Sequence, residues 1–415
     1  MRIKLSILSR LTFLLGLAAT GAPAAQSIDP AVVLSAAESE RDGLVDTVAT
    51  LVGIDSGTGD GEGLSRVAEV LVARLEALGG QVELIPAAAS VAGDNIVASF
   101  EGSGSSRILL MIHYDTVFAR GEAERRPFRI DGQRMYGPGV ADARGSIALI
   151  LHALKLLRGL DYDGFGVVTV LFNPDEEKGS FGSRDLIREL AAEQDYVLSF
   201  EPPDTDAVTV ATNGINYLFL RVEGVASHAG SAPEQGRNAV IELAHQLLQL
   251  NDLDDPGKGT TVNWTVVKGG ERRNVIPANA VAEGDMRYSH YSELERVTAD
   301  ANRVIANRLI ADTTVAFELQ RGRPPLPPNP GSQRLAETAA RVYAAIGLEL
   351  ETKRMRFGTD AGYAFQPGAA KPAVLETLGL VGGGLHSEAE YVELDSIVPR
   401  LYLGAQLIVT LSEGQ

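Results

Sequence analysis

Two glutamates stand side by side in the stretch Asn173-Pro174-Asp175-Glu176-Glu177-Lys178-Gly179-Ser180, directly after the apolar run "GVVTVLF". Other metal-binding side-chain types arrive in similar places. His113 closes the run "ILLMIH", and Asp115 follows two residues later. Asp142 lies in "GPGVADARG" ahead of a helical pattern, Glu201 closes "YVLSFE", and His386 sits in the glycine-rich loop "GGGLHSEAE". The chain has no cysteine, so any metal must be held by His, Asp and Glu. Imidazoles and carboxylates together suit zinc, with cobalt or manganese as substitutes. Singly, each residue has an ordinary explanation: His113 as a strand-end histidine, Asp142 as a helix N-cap, Glu201 as an exposed residue before two prolines. Arriving together at the carboxyl ends of strands, they point to the functional rim of an open α/β sheet.

The elements that must position them alternate along the chain. "LSRVAEVLVARLEALG" (Leu64 to Gly79) spaces its apolar residues as a helix and ends on glycine. "NIVASF" and "ILLMIH" read as strands, "RGSIALILHALKLLRGL" as a helix, and "SFGSRDLIRELAAE" as another before the strand "YVLSFE". This alternation predicts a mostly parallel sheet with helices on both faces. From about Asn213 the texture changes to β-α-β-β-α-β, the order of a small α+β, ferredoxin-like unit. "RGRPPLPPNPGS" (Arg321 to Ser332) reads as a proline-rich linker, after which α/β character returns. The expected organisation is a leader at 1–25, a catalytic domain in two parts at 26–213 and 324–415, and an inserted lid or dimerisation domain at 214–323.

"HYDTV", "YGPGVADARG", "NPDEEKGSFGSRDLI", "LSFEP" and "LHSEAEYV" resemble, in order and spacing, the motif set of the M20 zinc peptidases. The resemblance runs from about Ala31 to the C-terminus and is greatest for the glutamate carboxypeptidase branch. It implies two zinc ions bridged by Asp142, with His113 and Glu201 completing one set and Glu177 and His386 the other. It also implies Glu176 as general base and a cis peptide at Asp142-Ala143. Neighbouring side chains in extended backbone point in opposite directions, which agrees with giving the two glutamates different tasks. Asp115 would orient His113 by accepting its hydrogen bond. In the inserted unit, "GVASHAGSAPEQGRNA" resembles the family's lid motif, so His228 would stabilise the oxyanion, in some relatives in the partner subunit's site. Asn274 and Arg287 resemble residues that bind the substrate's terminal carboxylate, and Arg323 in "RGRPP" is a further candidate for that task, for which a planar guanidinium is suited. The chain departs from close relatives at Ala207, where they carry lysine, and at Arg356-Phe357, where they carry glycines. These departures predict a pocket that has lost one cation and gained an arginine and a phenyl ring. His152, His245 and His290 are expected to be structural, and Trp264 to pack in a core or interface.

The resemblance implies release of a C-terminal amino acid, glutamate favoured, from N-acyl, peptidyl or folate-like substrates. Within enzymes, an M20 aminoacylase or dipeptidase with another side-chain preference is the rival. A non-catalytic periplasmic binding protein on the same scaffold would be expected to lack the base or a ligand, and all these positions are filled. A serine hydrolase would need a G-x-S-x-G elbow, which the chain lacks. The start of the chain has Arg2 and Lys4, an apolar core from Leu11 to Leu17, then "GAPAAQ". This is the pattern of a secretory signal cut after Ala24 or Ala25, and it predicts a periplasmic or secreted protein with no membrane attachment after cleavage. Loss of Arg2, Lys4 and Arg10 takes the net charge from −17 to −20. Such an acidic surface argues against nucleic acid and anionic membranes as partners. A homodimer through the inserted domain is implied by the resemblance.

Overall fold

The strand Arg107–His113 sends its side chains into two different cores. Ile108, Leu110 and Ile112 enter one, and Leu109 and Met111 the other. Val167–Asn173 divides in the same way, with Val168, Val170 and Phe172 against Leu171. Strands apolar on both sides belong to a sheet covered on both faces. The computed structural model describes residues 27–88 and 91–414; the expected leader lies outside them. The central sheet has six strands in the order Gln81–Pro86, Asp94–Glu101, Val167–Asn173, Arg107–His113, Tyr196–Ser199 and Ala373–Leu375. Asp94–Glu101 alone runs against the others, so the sheet is mostly parallel.

Helices Pro30–Val52, Ser146–Gly159 and Ile397–Ser412 pack on one another over the larger core. Arg184–Ala192 and Ala361–Ala364 cover the opposite face. Among the described residues, the segment Leu394–Ser412 is apolar and long enough to cross a membrane, yet most of it is buried among these helices as a core element.

Three neighbouring strands end at one edge. His113 pairs in register with Asn173, and Met111 with Ser199. The loops that follow therefore carry His113, the Glu176–Glu177 pair and Glu201 to the same rim.

The smaller unit is an antiparallel sheet in the order Thr261–Gly269, Asn279–Tyr288, Gly214–Glu223 and Thr314–Arg321. Helices Ala239–Leu250 and Tyr291–Val304 share its apolar core, which completes the expected β-α-β-β-α-β order. Trp264 is half-buried against this core. The proline-rich stretch is not a flexible linker. Leu326 is fully buried and exchanges a backbone hydrogen bond with Thr212, whose N–H reaches its carbonyl at 2.9 Å. The Ile215 N–H likewise donates to the Arg323 carbonyl at 2.8 Å. The chain thus enters and leaves the smaller unit side by side, and apolar burial of Leu326 fixes what composition alone reads as a spacer.

Candidate active site

Asp142 is held in a wide turn, Val140–Gly145, that precedes the helix Ser146–Gly159. The expectation of a helix N-cap fails, because the helix begins after Gly145 and receives no side-chain cap. Asp142 has non-helical backbone (φ −114°, ψ 86°), and its peptide to Ala143 is cis. The turn is organised instead by Glu390, which is buried and accepts from the N–H groups of Gly139 (3.1 Å), Ala141 (2.9 Å) and Asp142 (3.0 Å). Arg144 in the same turn is buried and donates to the Tyr114 carbonyl at 2.9 Å. Sequence reasoning missed Glu390; the available signal was an acidic residue four positions after His386 in one loop.

The Asp142 carboxylate is turned two ways. Its Oδ1 lies 2.8 Å from His113 Nε2 and its Oδ2 3.1 Å from His386 Nε2. Glu201 Oε1 is 3.8 Å from His113 Nε2, and Glu177 Oε2 is 3.2 Å from His386 Nε2. Two donor groups result, His113–Asp142–Glu201 and Asp142–Glu177–His386, each with ligand atoms within 4.8 Å of one another and sharing Asp142. The donor set fits a pair of divalent cations, and Glu177 Oε1 is buried without a hydrogen-bond partner, as a ligand oxygen would be.

Asp115 does more than orient a histidine. His113 Nδ1 lies 3.1 Å from its main-chain oxygen and 3.2 Å from Oδ1. Its carboxylate also accepts the N–H groups of Glu176 (3.1 Å) and Glu177 (3.2 Å) and the Thr58 hydroxyl (2.6 Å). The backbone of the glutamate pair is a 3-10 turn, Glu176–Lys178, and not extended as reasoned from the sequence. The side chains still diverge, since successive residues of such a turn are about a third of a rotation apart. Glu177 goes to His386, while Glu176 Oε1 meets Arg323 Nη2 at 2.8 Å.

Arg323 is therefore buried against Glu176, whose carbonyl it also contacts, with the Gly358 carbonyl at 3.2 Å and Asp360 Oδ1 at 3.8 Å. Arg287 lines the same cleft of about 500 Å³ but is forked onto Asp285 at 2.7 and 3.0 Å. His228 and Asn274 are exposed neighbours on the smaller unit and do not line this cleft; the Ala229 N–H donates to the Asn274 carbonyl at 2.9 Å. Phe357 lines the cleft, while Arg356 is exposed and is not part of its wall. Ala207 is buried in a strand with its carbonyl bonded to Arg400, and it does not line the cleft, where the sequence predicts it. Of the remaining histidines, His152 is held between Thr47 and Glu40, His245 meets the Asn307 carbonyl, and His290 precedes a helix.

Burial pushes the Glu176 carboxyl up to about 8, against the pull of Arg323, and raises Glu177 and Glu201 as well. Asp142, despite burial, is held low by the hydrogen bonds of His113 and His386. His386 is raised to about 10 by its bonds to Asp142 and Glu177. Carboxylates crowded this closely in a buried cavity are costly to ionise together, and bound cations would offset that cost.

A sequence model of peptidase family M20/M25/M40 matches residues 109–410, and the chain belongs to that family of metal-dependent hydrolases. It is 42% identical over 388 residues to carboxypeptidase G2 from Pseudomonas sp. (strain RS-16), covering 92% of this chain and 93% of that one. In fold it is similar to aminopeptidase PepT from Bacillus cereus, with a TM-score of 0.77 at 19% identity over 90% of this chain and 99% of that one. The M20 family metallo-carboxypeptidase Sso-CP2 from Sulfolobus solfataricus gives 0.70 at 17% identity, over 89% and 99%.

Two outcomes follow from this geometry. Asp115→Asn should weaken metal affinity about 10–100-fold, read by competition with a chromogenic chelator; unchanged affinity would remove its positioning role. In chelator-stripped protein, His386 keeps its proton when folded up to about pH 10, whereas unfolded it releases it near 6.5. That stabilisation is complete below about pH 6.5 and lost as pH rises through 10. Glu176, raised from 4.5 to about 8, acts in the same direction. The stripped protein should therefore melt at a higher temperature at pH 6 than at pH 9, and zinc should shrink the difference; a melting temperature that rises with pH would contradict the assignment.

Proposed function

We propose that this chain is an exported, dinuclear zinc carboxypeptidase that releases a C-terminal amino acid, glutamate foremost, from N-acyl, peptidyl or folate-like substrates. The observation that carries the reading is the Asp142 carboxylate between two donor groups, with Glu176 beside them on the cleft wall. Its likeness to carboxypeptidase G2 supports the leaving group. His113, Asp142 and Glu201 would hold one ion, and Asp142, Glu177 and His386 the other. When bound, such a pair supplies an acidified water and a polarised amide carbonyl.

The chain's own residues do the rest. Glu176 accepts the proton that water loses as its oxygen bonds to the carbonyl carbon, and delivers it to the amide nitrogen as the C–N bond breaks. The products are a carboxylate and a free amino acid. Arg287 and Arg323 line the cleft and would bind the terminal carboxylate of the leaving residue by turning from the carboxylates they now meet, Asp285 and Glu176. His228 and Asn274 lie outside the cleft of their own chain, which supports a homodimer through the smaller unit in which they serve the partner's site and His228 stabilises the oxyanion. Phe357 on the wall, 39% exposed, favours a second reading, an aminoacylase or dipeptidase that prefers an apolar C-terminal residue.

Glu176→Gln should lower kcat by about 10²–10⁴-fold while bound metal, measured by atomic emission, is unchanged. Loss of metal instead would exchange the roles of the two glutamates. Chelation should abolish hydrolysis of N-acyl amino acids and zinc should restore it; activity that survives stripping would sink the reading.

A further inference from the structure

The two histidines that flank Asp142 are held very differently. His113 closes a central strand and its side chain is 1% exposed, whereas that of His386 is 54% exposed. His386 also has left-handed backbone (φ 61°), which a residue other than glycine keeps only where its surroundings hold it. Core packing does not hold it, since Leu385, Ser387, Glu388 and Ala389 are exposed as well. The contacts come from the stretch "RGEAERRP" (Arg120 to Pro127). Arg126 donates from Nη1 to the Ser387 carbonyl at 3.3 Å, and Arg125 pairs with Glu388. Glu122 lies between the two guanidiniums, accepting from Arg126 Nε at 2.7 Å and from Arg125 at 2.7 and 2.8 Å. The stretch is itself anchored. The Asp55 carboxylate accepts the N–H groups of Gly121 (2.7 Å) and Ala123 (2.8 Å), and Asp60 and Glu62 hold Arg120.

We propose that Glu122 and Arg126 are positioning residues for His386, and that they set the affinity of the Asp142–Glu177–His386 group for its ion. The inference rests on the two-ion reading above. Arg125 contributes least, because its ion pairs are exposed and screened by water. Arg126 is different. Its side chain is 14% exposed, and its guanidinium lies over the Phe118 ring, 4.5 Å from the centroid. A guanidinium held on one side by an aromatic face and on another by Glu122 has little freedom left, so the carbonyl it engages is held too. That carbonyl belongs to the residue directly after the ligand. The far end of the loop is fixed independently, by Glu390 on the Asp142 turn. Released by Arg126, His386 would swing away from Asp142 and Glu177 while His113, Asp142 and Glu201 stayed in place. The loss should therefore fall on one ion and spare the other.

Titrating chelator-stripped protein with zinc against a chromogenic chelator resolves the two ions. Arg126→Gln should weaken one of them about tenfold or more and leave the other where it was. Glu122→Gln, which unseats Arg126 without touching the loop, should do the same, and circular dichroism checks that both variants fold. Hydrogen exchange at the amides of residues 385–389 should quicken in both. His386→Ala identifies the ion: it should lose the weakened one, and adding Arg126→Gln to it should cost the remaining ion nothing further. Unchanged affinities in Arg126→Gln, an equal loss at both ions, or further loss in the double variant would overturn the assignment. If wild-type protein takes up fewer than two zinc ions, the dinuclear reading itself fails and takes the inference with it.

Discussion

One carboxylate with its two oxygens turned to different histidines organises the whole rim. Asp142 can hold that pose only because the turn around it is fixed from behind by Glu390, which engages three N–H groups of the turn. Asp115 does the same for the glutamate pair, engaging the N–H groups of both residues. Two buried carboxylates are therefore committed to backbone, so that other carboxylates can face a metal. Placing this many acids in a dry interior is unfavourable unless each is hydrogen-bonded or paired with positive charge. The site is the least self-sufficient part of the fold, and the two apolar cores on either side of the sheet must carry it.

Those cores were the legible part of the chain. Strands such as "ILLMIH" are apolar at every position before the closing histidine, and that pattern alone requires cover on both faces. Once the strands are parallel, His113, Glu176, Glu177 and Glu201 must meet at one edge, and Asp142 and His386 come to them through loops. The β-α-β-β-α-β order of the inserted unit was legible for the same reason: its strands alternate, and one face is wet.

What composition could not show were the contacts made by irregular backbone. Asp142 has the residue type and position of an N-cap, but the wide turn displaces the helix start past it. The glutamate pair follows a strand and reads as its continuation, yet Asp115 draws it into a tight turn. The proline-rich stretch has linker composition, and only the burial of Leu326 and Arg323 shows that it is packed. Arg323 has the type of a carboxylate receptor, and its contact with Glu176 is one that only the packing of the strap could reveal. Ala207 reads as a pocket residue from its place after the "FEP" segment, and it lies buried away from the cleft lining.

The strap has a mechanical consequence. Thr212 and Asn213 lead into the smaller unit while Gly322 to Leu326 lead out, and the two crossings are hydrogen-bonded to each other. Arg323 sits at this crossing. Any swing of the smaller unit as a rigid body would thus pivot beside Glu176, as a door turns on a hinge pin. Displacement grows with distance from the pivot, so the exposed pair of short strands bearing His228 would sweep widely while the guanidinium beside the Glu176 carboxylate hardly shifted.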